Sequence, residues 1–175
     1  MRIVHYMNQF FGGLGGEDKA SLPPQFRTGA VGPGRLLEQL LGSDAKVVAT
    51  VICGDNYAVE NLATVALAVT NVVKESNADL FFAGPCFQAG RYGTAAGEFS
   101  SSVQSQLGIP AITGMDVENP GGDLYRESVC IVDSGPDVSG MQNALTTMAR
   151  LGSKLVNKEA VSYTHLRAHE TLRYL

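Results

Sequence analysis

The stretch Gly84-Pro85-Cys86-Phe87-Gln88-Ala89-Gly90-Arg91-Tyr92-Gly93 places a guanidinium and a phenol just past a Gly/Pro turn. An arginine in the first turn of a helix can meet an anion together with the free backbone N–H groups there, or it can close a salt bridge with a neighbouring acid. Other short clusters also hold side chains suited to a site. Gly54-Asp55-Asn56 supplies a carboxylate and an amide, which either contact a ligand or cap the helix that follows. Glu60 and Asn61, near the start of that helix, face partly away from its apolar stripe. Met115-Asp116-Val117-Glu118-Asn119-Pro120 supplies Glu118, an acid/base group if buried and a solvated carboxylate if not. Residues 11–19 hold Gly12, Gly13, Gly15 and Gly16, which invite a phosphate-loop reading. Their spacing fits neither G-x-x-x-x-G-K-[ST] nor G-x-G-x-x-G, since Asp18 stands where the third glycine belongs, so a loop that bends freely or approaches a substrate is expected. The candidate binding residues are Asp55, Asn56, Arg91, Tyr92, Glu118 and Asn119. No metal-ligating set is expected among residues 1–160.

The elements that must hold these groups follow from the apolar pattern. Five strands are expected, at residues 2–10, Lys46–Cys53, 79–83, 109–114 and 128–132, the second a β-branched run of the kind covered on both faces. Between them lie helical stripes: Leu36, Leu37, Leu40 and Leu41 before Gly42; Val59, Leu62, Ala66, Val69 and Val73; Tyr92, Ala96, Phe99, Val103 and Leu107 before Gly108; and Met141, Leu145, Met148 and Leu155. Residues 21–34 read as a Pro/Gly-rich crossing. Alternation of strand and helix predicts an α/β fold of three layers, a mostly parallel five-stranded sheet with helices on both faces, Rossmann-like or flavodoxin-like. Each polar cluster then follows a strand's carboxyl end, the edge at which open α/β sheets bind ligands.

Composition narrows the classes. A 175-residue chain with 45% hydrophobic and 17% charged residues suits one globular unit, and a net charge of −4 without a Lys/Arg run gives no footprint for nucleic acid. No segment reads as a membrane span, and Met1-Arg2-Ile3-Val4-His5 enters a strand without the pattern of a signal peptide, so a cytoplasmic location is expected. The three cysteines, Cys53, Cys86 and Cys130, form no C-x-x-C pair. Cys53 and Cys130 read as buried small hydrophobes, and Cys86, in the central turn, is either buried or reactive.

The last residues have a different character. Residues 161–171, Val-Ser-Tyr-Thr-His-Leu-Arg-Ala-His-Glu-Thr, do not join the preceding pattern, and reverse translation resembles a transposase adapter used in sequencing libraries. Residues 161–175 are therefore expected to be non-native, and residues 1–160 the truncated amino-terminal α/β domain of a longer protein. His165 and His169, spaced like a helical metal pair, are set aside on that ground.

Four blocks carry a resemblance across residues 1–160: the first strand with Gly12-Gly13; Val51-Ile52-Cys53-Gly54-Asp55-Asn56-Tyr57; Ala83-Gly84-Pro85-x-Phe87-x-Ala89-Gly90-Arg91-Tyr92-Gly93; and Gly114-Met115-x-x-Glu118-Asn119-Pro120-Gly121. Taken in order, they resemble the selenoprotein B family of glycine, sarcosine and betaine reductases. The resemblance implies a cytoplasmic subunit of an anaerobic amino-acid-fermenting oxidoreductase that cleaves the C–N bond of a small amine. It implies pyruvoyl-containing partner subunits of component B, whose pyruvoyl group activates a primary amine. It also implies a selenocysteine that takes the carbon unit, transfer to selenoprotein A, release as acetyl phosphate with phosphate, and a thioredoxin-type reductant. The family's selenocysteine, or its cysteine counterpart, belongs to a later part of the chain than any present here. The resemblance therefore implies an inactive piece that binds none of these cofactors, and it assigns no role to the six candidate residues; among these, placed by the strand-end argument, Arg91 is expected to pair the substrate carboxylate. It does not choose among the three amines. Competing readings are a sugar-isomerase-like domain, for which only His5 would remain as a histidine ligand, and a freestanding α/β small-molecule binding domain.

Overall fold

The computed structural model describes residues 1–158; the expected adapter tail, with His165 and His169, lies outside the described residues. A six-stranded sheet has the order β2-β3-β1-β4-β5-β6. Its strands are β1 (Arg2–Asn8), β2 (Gln25–Thr28), β3 (Lys46–Cys53), β4 (Leu80–Ala83), β5 (Ala111–Met115) and β6 (Cys130–Asp133). All pairings are parallel except that of β2 with β3. The helices are α1 (Pro33–Leu41), α2 (Asp55–Glu60), α3 (Leu62–Glu75), α4 (Gly90–Leu107), α5 (Pro120–Tyr125) and α6 (Met141–Val156).

Two apolar cores sandwich the sheet. On one face α3 and α4 bring Val65, Val69, Val73, Tyr92, Phe99 and Val103 onto Val4, Tyr6, Val51 and Phe81. On the other, α1 and α6 bring Leu37, Leu145 and Met148 onto Ile3, Val47, Phe82 and Ile112. Phe81 and Phe82 are adjacent in β4 and point to opposite cores, each fully buried, as the two-residue period of a strand requires. Each such side chain contributes about 1.5–3 kcal/mol of burial. A β-branched and aromatic sheet covered on both faces is therefore the form in which these strands can be buried at all.

Five strands were expected and six are found. The added strand, β2, lies in the presumed crossing and runs antiparallel along the outer border of β3, pairing Gln25 with Ile52 and Thr28 with Ala49. Three of its four residues are exposed, so no apolar alternation marks it. The expected single helix after β3 is two, broken at Asn61, whose φ of −129° leaves the helical region. Asp55 and Asn56 do not cap it: Gly54 is the N-cap, and both side chains sit inside the first turn. A short helix, α5, also forms where a Pro/Gly loop was read.

Strand order fixes where a cleft can form. From β1 the chain crosses to β3 on one side, then back over β1 to β4 on the other, so the connections diverge between β1 and β4. The loops after β1, β3 and β4 all emerge at that carboxyl edge.

Below it, His5 in β1 is fully buried against α1, where a Cβ on Gly34 would stand 2.9 Å from its Nδ1. Its Nε2 bonds the Gly84 carbonyl at 2.6 Å, and burial lowers its pKa from 6.5 to about 4. The folded chain thus refuses a proton that the unfolded chain accepts, so stability is full above pH 6.5 and falls as pH drops towards 4. That displacement corresponds to about 3 kcal/mol. The urea midpoint is expected to decline between pH 6.5 and 5, above the range of ordinary carboxylates, and His5→Asn to flatten the decline. Parallel curves for the two proteins would refute the assignment.

Candidate functional site

Where β1 runs out, Asn8 and Gln9 follow it into the interior, 5% and 2% exposed. Asn8 Oδ1 accepts from the Phe11 N–H at 3.1 Å and its Nδ2 donates to Asp55 Oδ2 at 3.0 Å. Gln9 Oε1 accepts from the Asp55 N–H at 3.0 Å. Asp55, just past β3, is thus gripped from β1 through side chain and backbone. Its other oxygen, Oδ1, is buried and makes no hydrogen bond. Burial raises the Asp55 pKa above the ordinary carboxylate value, opposed by the Asn8 bond, by Arg91 and by the Gln9 bond.

Arg91 stands at the mouth, its side chain 45% exposed. Nη2 donates to Glu17 Oε1 at 2.8 Å, and Nη1 donates to Asn56 Oδ1. Of the two roles open to this arginine, the salt bridge is the one formed, and its acid comes from the glycine-rich loop. The Glu17 hydrogen bond raises the guanidinium pKa further. An exposed pair of this kind contributes about 0.2–1 kcal/mol, so another carboxylate could displace Glu17 at small cost.

Tyr92 lies beneath the rim and is fully buried. Its ring meets Tyr6 edge-on at 5.7 Å between centroids and Phe11 at 6.2 Å. Phe11 in turn lies 5.8 Å from Phe87, so aromatic side chains from the β1 and β4 loops roof the crevice. Among the described residues the Tyr6 hydroxyl has no hydrogen-bond partner, the Asn8 backbone hydrogen-bonds the Tyr92 hydroxyl, and burial raises both phenols.

Glu118 and Asn119 belong to a separate group. Glu118 is exposed and accepts from Gln88 Nε2 at 3.4 Å, which makes it the solvated carboxylate of its two readings. Asn119 is 2% exposed and caps α5 by accepting from Gly121 N–H at 2.9 Å. Its Nδ2 donates to the Phe87 and Ala89 carbonyls at 2.7 and 3.2 Å, fastening the β4–α4 turn to α5. The fit is close: a Cβ on Gly93 would stand 2.2 Å from Asn119 Oδ1. The structure therefore brings Asp55, Asn56 and Arg91 together, sets Tyr92 below them, and gives Asn119 a packing role.

Glu60 is exposed, and Asn61 donates to the Tyr57 carbonyl at 3.0 Å. Sequence reasoning missed Tyr6, Asn8, Gln9 and Glu17. The signal for two of them was present: an Asn-Gln pair directly ending an apolar strand marks amides carried inward. Cys53, Cys86 and Cys130 are all buried. Burial raises the Cys53 thiol to about 12 and the Cys86 thiol well above its ordinary value, so both stay protonated and neither fits a nucleophile. Among the described residues, no three His, Cys, Asp or Glu side chains gather as a metal site, and no helix is long and apolar enough to cross a membrane.

Comparison with known proteins gives a consistent set. The family model for glycine/sarcosine/betaine reductase selenoprotein B matches residues 1–170. The chain is 47% identical over 161 residues to the sarcosine reductase complex component B subunit beta of Peptoclostridium acidaminophilum, covering 92% of this chain and 37% of that protein. It is 49% identical over 160 residues to the glycine reductase complex component B subunit gamma of Carboxydothermus hydrogenoformans, covering 91% and 37%. Against the betaine reductase complex component B subunit beta of Peptoclostridium acidaminophilum the identity is 35% over 160 residues, covering 91% and 36%. The chain thus spans little more than a third of the length of these relatives. No solved structure matches it.

Asn119→Ala removes three hydrogen bonds and leaves the Gly121 N–H without its acceptor, an expected loss of about 2–3 kcal/mol. Arg91→Gln removes only an exposed pair and is expected to change stability by less than about 1 kcal/mol. Urea denaturation of the two variants checks the contrast, and equal losses would contradict the division of roles.

Proposed function

Because the chain belongs to the glycine/sarcosine/betaine reductase selenoprotein B family, we propose that it is the amino-terminal part of the substrate-specific subunit of an anaerobic, cytoplasmic amine reductase. The observation that carries this reading is the family match along nearly the whole chain, joined to relatives whose names cover all three amines. The reaction is reductive cleavage of the C–N bond of glycine, sarcosine or betaine, with the carbon unit leaving as acetyl phosphate. The whole protein works with pyruvoyl-containing partner subunits, selenoprotein A, phosphate and a thioredoxin-type reductant.

Chemistry of this kind needs a low-pKa selenium or sulfur nucleophile. The buried, protonated thiols of Cys53 and Cys86 do not fit that part, which supports placing the nucleophile in the portion of the relatives' length that lies beyond the match. This chain contributes the substrate crevice. Its parallel strands, taken alone, run second-first-third-fourth-fifth across the sheet, which supports a flavodoxin-like reading with the ligand held at the divergence between β1 and β4. There Arg91 receives the substrate carboxylate in exchange for Glu17, and Asn56 holds the guanidinium in place. Residues 161–175 take no part, as an adapter-derived extension.

The test uses the full-length protein with its partner subunits, selenoprotein A, phosphate and a dithiol, supplied in turn with isotopically labelled glycine, sarcosine and betaine. Release of the corresponding amine with acetyl phosphate from at least one is expected, and none from the 175-residue chain in place of the full-length subunit. Absence of product from all three would overturn the reading. Arg91→Gln in the full-length protein is expected to raise KM for the amine at least tenfold; an unchanged KM would remove Arg91 from the site.

A further inference from the structure

Helix α3 carries no charged side chain from Leu62 to Val73. Its inner face, with Val65, Ala66, Val69 and Val73, is buried in the core that it shares with α4. Its outer face is apolar as well: Leu67 is 56% exposed, Ala63 is exposed beside it, and Ala68 and Val72 are half-buried on the flank. On the opposite side of the sheet α6 shows the ordinary pattern, its exposed positions being Gln142, Asn143, Thr146 and Arg150. A helix that is apolar around its whole circumference belongs in an interior, so the outer face of α3 meets another protein surface.

The face is complementary to itself. Thr64, Leu67, Asn71 and Lys74 are all exposed and recur in steps of three and four, so they form one seam along the helix. Its ends carry opposite charges: Lys74 lies in the last turn of α3, and Glu60 is exposed directly before the break at Asn61. The two stand equally far in sequence on either side of Leu67. Among the described residues neither is ion-paired. A two-fold axis at Leu67 lays α3 antiparallel on α3 of a second copy, so that each Lys74 comes to the end that carries Glu60. It also sets the positive end of each helix dipole beside the negative end of the other. A parallel pairing would bring Lys74 against Lys74 and Glu60 against Glu60.

We propose that the outer face of α3 is a two-fold interface between copies of this chain, with Leu67 on the axis and Glu60 paired with Lys74 across it at either end. Ala63 is small enough to let the helices approach, and Thr64 comes opposite Asn71, where an amide facing a hydroxyl fixes the register. Two helices of this length bury less than the ~1,200 Å² of a standard stable interface, so the dimer forms reversibly at micromolar concentration. The interface goes beyond the reductase reading and does not depend on it.

Sedimentation velocity of the 175-residue chain is expected to show a reversible monomer–dimer equilibrium. Leu67→Lys, at an exposed position, is expected to weaken it at least tenfold with the urea midpoint of the monomer unchanged. Glu60→Lys alone is expected to weaken it about fivefold, and Lys74→Glu added to it to restore the original value, because the pair is then exchanged rather than lost. In the full-length subunit, Leu67→Cys treated with diamide is expected to give a disulfide-linked dimer absent from the unaltered subunit; Cys53, Cys86 and Cys130 are buried and do not compete. A monomer throughout the micromolar range, a dimer indifferent to Leu67→Lys, or failure of the charge exchange to restore association would each overturn the proposal. So would absence of the cross-link in the full-length subunit: an introduced thiol shielded from a small maleimide then marks the rest of the polypeptide as the occupant, and a reactive one marks the face as open.

Discussion

The carboxyl edge of this sheet depends on the side chain of Asn8. One amide group, carried to the end of β1, accepts from the Phe11 N–H and donates to Asp55 Oδ2, so it sets the turn after β1 and orients the first side chain after β3. The bond to Asp55 is buried and that from Phe11 half-buried, and away from water such a bond is stronger and its loss more costly than at the surface. Gln9 adds a bond to the Asp55 backbone. The remaining features of the crevice, from the Phe11 roof to the free Asp55 oxygen, follow from that clamp between neighbouring parallel strands.

The fold was legible where burial imposed a period. Strands β1, β3, β4, β5 and β6 and the stripes on α3, α4 and α6 are apolar because they pack on two faces, and such patterns survive in a single sequence. β2 escaped because its backbone pairing with β3 asks nothing of its mostly exposed side chains. The short α5 carried a signal that went unread: Asn119 as N-cap and Pro120 in the first turn. The break at Asn61 had no comparable mark, because apolar residues continue across it.

The site was legible by position more than by role. Arg91, Asp55 and Asn56 come together as strand-end reasoning required, yet the acid that pairs Arg91 sits 74 residues earlier in sequence, and no local pattern could identify Glu17. Tyr92 was counted both as a stripe residue and as a site residue. Its ring is in the core and its hydroxyl is buried with it, as the stripe requires. Asn119 shows the opposite case. A polar residue in a loop attracts a functional reading, but every polar atom of its side chain is engaged in joining two backbone segments.

The antiparallel strand β2 has a further consequence. Without it, the apolar β3 would border the sheet and present a row of backbone donors and acceptors to any other chain. Four residues, with Arg27 among the exposed ones, cover that row with a short and partly charged edge. Loss of β2 would thus expose the backbone of Ala49 to Ile52 as a template for intermolecular pairing, so a segment with a mostly exposed surface protects the border of the sheet.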